Sequence, residues 1–142
     1  MMDQILVKSS PSKEVFDVLE QLAPDIAFMP IVKHTHDCHD MLMHSGINYI
    51  GAEVLFDNES DEVASEEFIS RMHNDGKLVW ANAIIYNHKA QLTAGHSDDA
   101  AICGDFEYGW GWLARRGFDF IQTDWTGLMT SYLDSQGLLY KK

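Results

Sequence analysis

Apolar residues fall in short runs separated by stretches with helical spacing, and that alternation organises the chain. Ile5-Leu6-Val7 reads as a buried strand. Ser12 stands where it can cap a helix whose apolar face is Val15, Phe16, Val18, Leu19 and Leu22, and Pro24 stops it. Ile26 to Val32 is the second strand, with Pro30 an awkward member because it cannot donate to a ladder. A short helix is expected from His36 to Ser45, ended by Gly46, and a third strand from Gly51 to Phe56. Ser60-Asp61 reads as the cap of a helix running to Asn74 and closed by Asp75-Gly76. Lys77 to Ile84 is the clearest strand, and a long polar loop follows from Asn87 to about Gly104. Tyr108 to Arg116 is helical with Gly117 in the C′ position, Phe118 to Thr123 is the last strand, and Leu128 to Leu133 the final helix.

Strand, helix, strand, helix predicts parallel pairing through right-handed crossovers. The strands are almost continuously apolar, as expected when both faces are covered. The expected class is α/β with about five parallel strands. No linker, low-complexity segment or internal repeat divides the chain, so residues 1–142 read as one domain. A closed eight-fold β/α barrel takes about 250 residues, so these 142 residues would supply only part of one.

Composition narrows the function classes. Hydrophobic residues at 46% and charged residues at 23% describe a globular chain. Ten Lys+Arg against 22 Asp+Glu give a net charge of -12, which repels phosphate backbones and anionic lipid heads and argues against nucleic-acid binding. Cys38 and Cys103 form neither a disulfide framework nor a C-x-x-C zinc spacing. No run approaches the ~20 apolar residues of a membrane span. Met1-Met2-Asp3-Gln4 lacks the basic-then-apolar pattern of a signal peptide, and the compartment is left unassigned.

In parallel sheets, ligands gather at the carboxyl ends of the strands. The polar residues expected there are Lys8 and Ser9, Glu53, Trp80 with Asn82, and Gln122 with Asp124. A cation, amide donors and an aromatic wall would suit a polar, anionic ligand. The plainer alternative makes them solvated strand ends or helix caps, with Asp124 capping the helix that contains Gly127. Glu53 resists that alternative, because a carboxylate in an apolar strand needs a partner.

The loudest local signal is His34-Thr35-His36-Asp37-Cys38-His39-Asp40. On a helix starting at His36, the side chains of His36, His39 and Asp40 would share a face and could hold a transition metal; otherwise this is a surface loop and helix. Gly95-His96-Ser97-Asp98-Asp99 reads as a lid or as a segment in which Asp98 caps the next helix. Phe106, Tyr108, Trp110 and Trp112 read as packing. There is no G-x-S-x-G, G-x-G-x-x-G or P-loop, so no nucleotide cofactor is expected.

Leu78-Val79-Trp80-Ala81-Asn82, then a helix, then Gly117-Phe118-Asp119-Phe120-Ile121-Gln122-Thr123-Asp124-Trp125 with Leu128 resembles the end of the glycerophosphodiester phosphodiesterases. That family follows a W-x-N strand with a helix and a G-x-D-x-I-x-T-D strand. Ile5 to Ser9, Phe28 to Val32 and Glu53 to Phe56 resemble its middle strands. The resemblance implies a partial (β/α)8 TIM barrel comprising the fourth to eighth strands. The parent reaction is metal-dependent hydrolysis of a glycerophosphodiester to glycerol 3-phosphate and an alcohol. It also implies a divalent cation, Ca²⁺ or Mg²⁺, whose ligands lie on earlier strands. The family's H-R-G-like catalytic histidine, its E-x-D, its H-D histidine and its third-strand acid have no counterpart here. His34-Thr35-His36-Asp37 contains H-D but follows a middle strand. By resemblance, Lys8, Glu53, Trp80 and Asn82 lie near the substrate, with Trp80 as an apolar wall, and no residue is catalytic.

Five barrel strands alone would leave two open sheet edges and an uncovered apolar interior. The expectation is therefore a fragment, inactive alone, completed by an N-terminal half or by self-association. The alternatives are a non-catalytic binding or assembly module that keeps the barrel rim, and a metal-binding protein using the histidine cluster.

Overall fold

A computed structural model describes residues 4–85 and 92–139. Its elements are β1 (Leu6–Ser9), α1 (Lys13–Leu22), β2 (Ala27–Lys33), α2 (His39–Met43), β3 (Gly51–Leu55), α3 (Glu66–Asn74), β4 (Leu78–Asn82), α4 (Asp98–Ile102), α5 (Trp112–Arg116), β5 (Phe120–Gln122) and α6 (Thr126–Ser135). A single 3₁₀ turn, Glu62–Ala64, precedes α3, and a π-helical turn, Glu107–Gly111, leads into α5. The five strands are all parallel and lie in chain order, β1-β2-β3-β4-β5. This is the α/β, partial-barrel class expected.

Strand alternation sorts the side chains onto two faces. Val7, Phe28, Val32, Val54, Phe56 and Val79 point to the helix side. There they share one core with Leu19 of α1, Leu42 of α2, Phe68 and Met72 of α3, Leu113 of α5 and Met129 of α6. The opposite face carries one cross-strand row, in which Ile31 pairs with Glu53, Glu53 with Trp80, and Trp80 with Phe120. Lys8 belongs to this face too. In a flat sheet β1 and β3 would lie about 10 Å apart. Yet the Lys8 ammonium reaches over β2 to within 2.7 Å of the Glu53 carboxylate, so this is the concave side of a curled half-barrel. Among the described residues β1 and β5 each pair on one side only, and Leu6 and Phe120 are exposed there.

Local chemistry explains most boundaries. Ser12 caps α1 by accepting from the Val15 N–H at 3.3 Å, and Gly117 takes φ +103 after α5, both as expected. Pro30 is tolerated because its partner is Ser9, the last residue of β1. Four expectations need correction. The helix expected from His36 begins at His39, because the His36 ring turns into the core before the chain can coil. Ser65, not Ser60-Asp61, caps α3 by accepting from the Phe68 N–H at 3.1 Å. Asp61 is otherwise engaged: its Oδ2 accepts from the Asp57 and Asn58 amides at 2.9 and 3.2 Å and bonds the His34 ring at 2.8 Å. Ser97, not Asp98, caps α4, and Asp124 caps nothing, because α6 starts after Trp125 with no side-chain cap.

β4 stops at Asn82, short of Ile84, and β5 covers only Phe120–Gln122. Part of the expected polar loop, residues 87–91, lies outside the described residues. Its described remainder bridges Thr93 to Phe56 and enters α4. No helix among the described residues is long and apolar enough to cross a membrane.

Candidate functional site

Lys8, Glu53, Trp80 and Asn82 arrive from three strands and meet on the concave face. Glu53, only 6% exposed, is held at both oxygens: Oε1 accepts from Asn82 Nδ2 at 2.7 Å and Oε2 faces Lys8 Nζ at 2.7 Å. A buried carboxylate is tolerated when it is both charge-compensated and hydrogen-bonded, and here it is both. The same ammonium stands 3.8 Å from the centre of the Trp80 ring, and that ring leans on Phe120 at 5.3 Å. Gln122 lies beside Asn82 across the β4–β5 ladder.

Two polar atoms of this group are left over. Asn82 Oδ1 and Trp80 Nε1 are buried without a hydrogen-bond partner among the described residues, and Asn82 is only 1% exposed. Native interiors rarely leave such atoms unmet, so an acceptor and a donor orphaned side by side mark where a ligand would bond. The remaining strand-end candidates do not join this group. The Ser9 hydroxyl turns to the Ser10 carbonyl, and the Asp124 amide donates to Asp98.

The histidine cluster does not form the expected metal face. Asp40 is 87% exposed and pairs with Arg71 at 2.9 Å. His36 and His39 are buried, and both aim ring nitrogens at one hydroxyl: His36 Nε2 lies 2.8 Å and His39 Nδ1 2.9 Å from Tyr49 Oη. The other nitrogen of His39 meets Asp75 at 2.9 Å, and the other nitrogen of His36 meets the Cys38 sulfur at 3.6 Å. Burial, and secondarily His39, pulls His36 from 6.5 down to about 4, so its ring is neutral near pH 7. Burial also pushes the Tyr49 hydroxyl and the Cys38 thiol upward. Tyr49 and Asp75 carried no signal in the sequence that linked them to these histidines.

The segment read as a lid is stapled down in its described part. Thr93 Oγ1 lies between two carbonyls, that of His96 at 2.7 Å and that of Asn82 at 3.0 Å, which ties this segment to the end of β4. His96 is fully buried, stacked on Trp112 at 3.8 Å and bonded to the Tyr108 carbonyl and to Glu59. Asp98 is a buried hub: its carboxylate accepts from Trp110 Nε1 at 2.8 Å, Thr123 Oγ1 at 2.7 Å and the Asp124 amide at 2.9 Å. Trp110 and Trp112 are packing residues, as read.

The divalent cation implied by the resemblance does not fit the residues described. A hard cation takes six or more oxygens. The four rim residues offer one carboxylate, Glu53, with both oxygens already engaged, and no described trio of His, Cys, Asp or Glu could hold a metal. What the rim can do with its own groups is bind: a partly solvated ammonium, a stacking face, an unmet acceptor and an unmet donor.

The family model DUF4996, described as a domain of unknown function, matches residues 28–133. No curated protein matches the chain.

Proposed function

The chain belongs to the DUF4996 family, and we propose that its concave rim binds a phosphorylated polyol, the glycerophosphodiester class, as the substrate half of a phosphodiesterase-like barrel. The observation that carries this reading is the unmet Asn82 Oδ1 beside the Lys8–Glu53 pair. A glycerol hydroxyl would donate to Asn82 Oδ1, and the polyol carbons would lie against the edge of the Trp80 ring, which already holds the Lys8 ammonium over one face. The phosphate would draw on the Lys8 ammonium and the Trp80 N–H. Each group then acts within its ordinary chemistry: acceptor to hydroxyl, cation to anion, aromatic ring to C–H.

The reading assigns binding, not turnover, to these residues. Hydrolysing a phosphodiester needs strong charge neutralisation at phosphorus and a proton-transfer pair; the rim offers one ammonium, already paired with Glu53, and no such pair. The test is amide and indole NMR of the chain titrated with glycerophosphocholine, with glycerol and inorganic phosphate in parallel. Saturable shifts of the Trp80 indole and Asn82 side-chain signals with the diester are expected, the Trp80 shift being lost in Asn82→Ala. Absence of any shift at these two signals overturns the reading.

A further inference from the structure

Cys38 ends a line of hydrogen bonds whose protons can be placed with neutral imidazoles; the Tyr49 hydroxyl also faces the weaker acceptor Met72 Sδ at 3.7 Å, but His39 Nδ1 at 2.9 Å is the shorter and stronger partner. Asp75 only accepts, so His39 Nε2 carries a hydrogen toward it; His39 Nδ1 then accepts from the Tyr49 hydroxyl. The freed Tyr49 oxygen accepts from His36 Nε2–H, and His36 Nδ1 is left to accept from the Cys38 thiol. From this geometry we propose that Cys38 is a reactive thiol, served by a proton relay through His36 and Tyr49 to the His39–Asp75 pair, and that it reduces small organic hydroperoxides.

Shifting three protons one place along the line turns Cys38 into a thiolate and His39 into an imidazolium held by the Asp75 carboxylate. This resembles the arrangement of nucleophile, base and orienting acid used by thiol and hydroxyl nucleophiles, with a tyrosine and a second histidine inserted. The relay also removes an energetic obstacle. Burial disfavours a charge on His36, and the line moves the charge past it to the partner of Asp75. Because burial raises Cys38, its resting form is the thiol, and the nucleophile exists only when the relay runs.

Cys38 is partly exposed and lines a groove of about 460 Å³ with Pro11, Phe16, Ile31 and Val32, the charged Lys33 and Asp37 also lining it. Apolar walls suit an alkyl or aryl tail. Acyl transfer would require at least two converging amide donors for an oxyanion. The His39 N–H is spent on the His36 carbonyl at 3.4 Å, which leaves the Cys38 amide beside its own sulfur. A hydroperoxide needs only the sulfur and one proton. The thiolate attacks the terminal oxygen, an S–O bond forms and the O–O bond breaks. The departing alkoxide takes the proton on His36 Nδ1, and the relay resets. Thiol and hydroperoxide become sulfenic acid and alcohol; sulfur loses two electrons, the peroxide gains them, and no other reactant is needed.

The same chain carries its own reference, the exposed Cys103. The test measures alkylation of both cysteines by iodoacetamide, peptide by peptide, between pH 6.5 and 8. An ordinary thiol quickens about tenfold per pH unit below its own ionisation. The thiolate–imidazolium form is an isomer of the neutral pair, so Cys38 should change less than about twofold while Cys103 follows the ordinary slope. The charged groups facing the relay are Asp37 and Asp40 from its own segment, Arg71 and Asp75 from α3 and its end, and Lys77 before β4. None should steepen the profile.

Tyr49→Phe breaks the line, and Asp75→Asn keeps a hydrogen bond to His39 while removing the charge. In variants that still melt cooperatively, each should slow Cys38 about tenfold or more and leave Cys103 unchanged. With tert-butyl hydroperoxide, dimedone should trap a sulfenic acid at Cys38. A Cys38 profile as steep as that of Cys103, an unaltered Cys38 rate in Asp75→Asn, or no dimedone adduct at Cys38 overturns the proposal.

Discussion

The Lys8 ammonium stands 3.8 Å over the Trp80 ring although β1 and β4 are separated by two whole strands. No flat sheet allows that contact, since its first and fourth strands lie about 14 Å apart. The contact therefore depends on the curl, and the curl in turn depends on what fills the concave face.

Lys8→Met tests how far that face relies on compensation. Glu53 would keep one hydrogen bond, from Asn82, but lose its counter-charge while buried. Breaking such a pair costs several kcal/mol at full burial, and Lys8 is partly solvated, so a loss of about 1–3 kcal/mol is expected in urea unfolding. Lys8→Met with Glu53→Leu should recover most of it, because no lone charge remains. Equal losses in the single and double variants would mean that the pairing contributes little.

Acid should weaken the fold through His36 first. Its folded value lies at about 4, below the unfolded 6.5, so between these pH values the unfolded chain binds a proton that the folded chain does not. Stability then falls as pH drops through that window, by on the order of 3 kcal/mol, and is intact above pH 6.5. Glu107, held at about 2 by Arg115 and then Tyr132, is a depressed carboxylate whose contribution disappears only at lower pH. Urea midpoints measured from pH 7 to 4 should show the slope, and His36→Gln should flatten it.

Gly51→Ala should be among the most damaging small substitutions. An added Cβ would sit 2.1 Å from the Leu78 carbonyl oxygen on β4, a backbone atom that cannot step aside. The start of the β3–β4 ladder would open. Loss of protection at the Leu78 and Trp80 amides in hydrogen exchange is the expected signature, with Val79, bonded to Asp119, less affected; protection equal to the wild type would show that the strands slide to accommodate it.

Asp98→Ala removes three bonds at once. Trp110, fully buried, would keep an indole N–H with no acceptor, and the turn holding Thr123 and Asp124 would lose its tie to α4. A loss of about 3 kcal/mol or more is expected, with a smaller one for Asp98→Asn, which retains a carbonyl acceptor. Thermal melting followed by near-UV circular dichroism distinguishes the two.

The strands were legible as short, mostly apolar runs, although the helices cover only one face of the sheet and the concave face carries Lys8, Glu53 and Asn82. Ser12 and Gly117 were legible because caps and left-handed ends are matters of neighbours in the chain. Asp61 was misread as a cap, and the cap alternative for Asp98 fails, for the converse reason. A capping side chain and a long-range hub use the same residue type, and only the fold decides that Asp98 meets Thr123 or that Asp61 meets His34. At the rim, Glu53 was conspicuous as a charge inside an apolar strand. Tyr49 was not, since an isolated tyrosine before a strand shows nothing of the two imidazoles that converge on it.

Among the described residues each strand pairs only with the strand before and after it in the chain. Such an order lets a growing polypeptide dock every new β/α unit onto the edge already made, without waiting for a distant segment to be synthesised. Until β5 arrives, β4 itself is the growing edge, and Trp80 on the concave face has yet to meet Phe120.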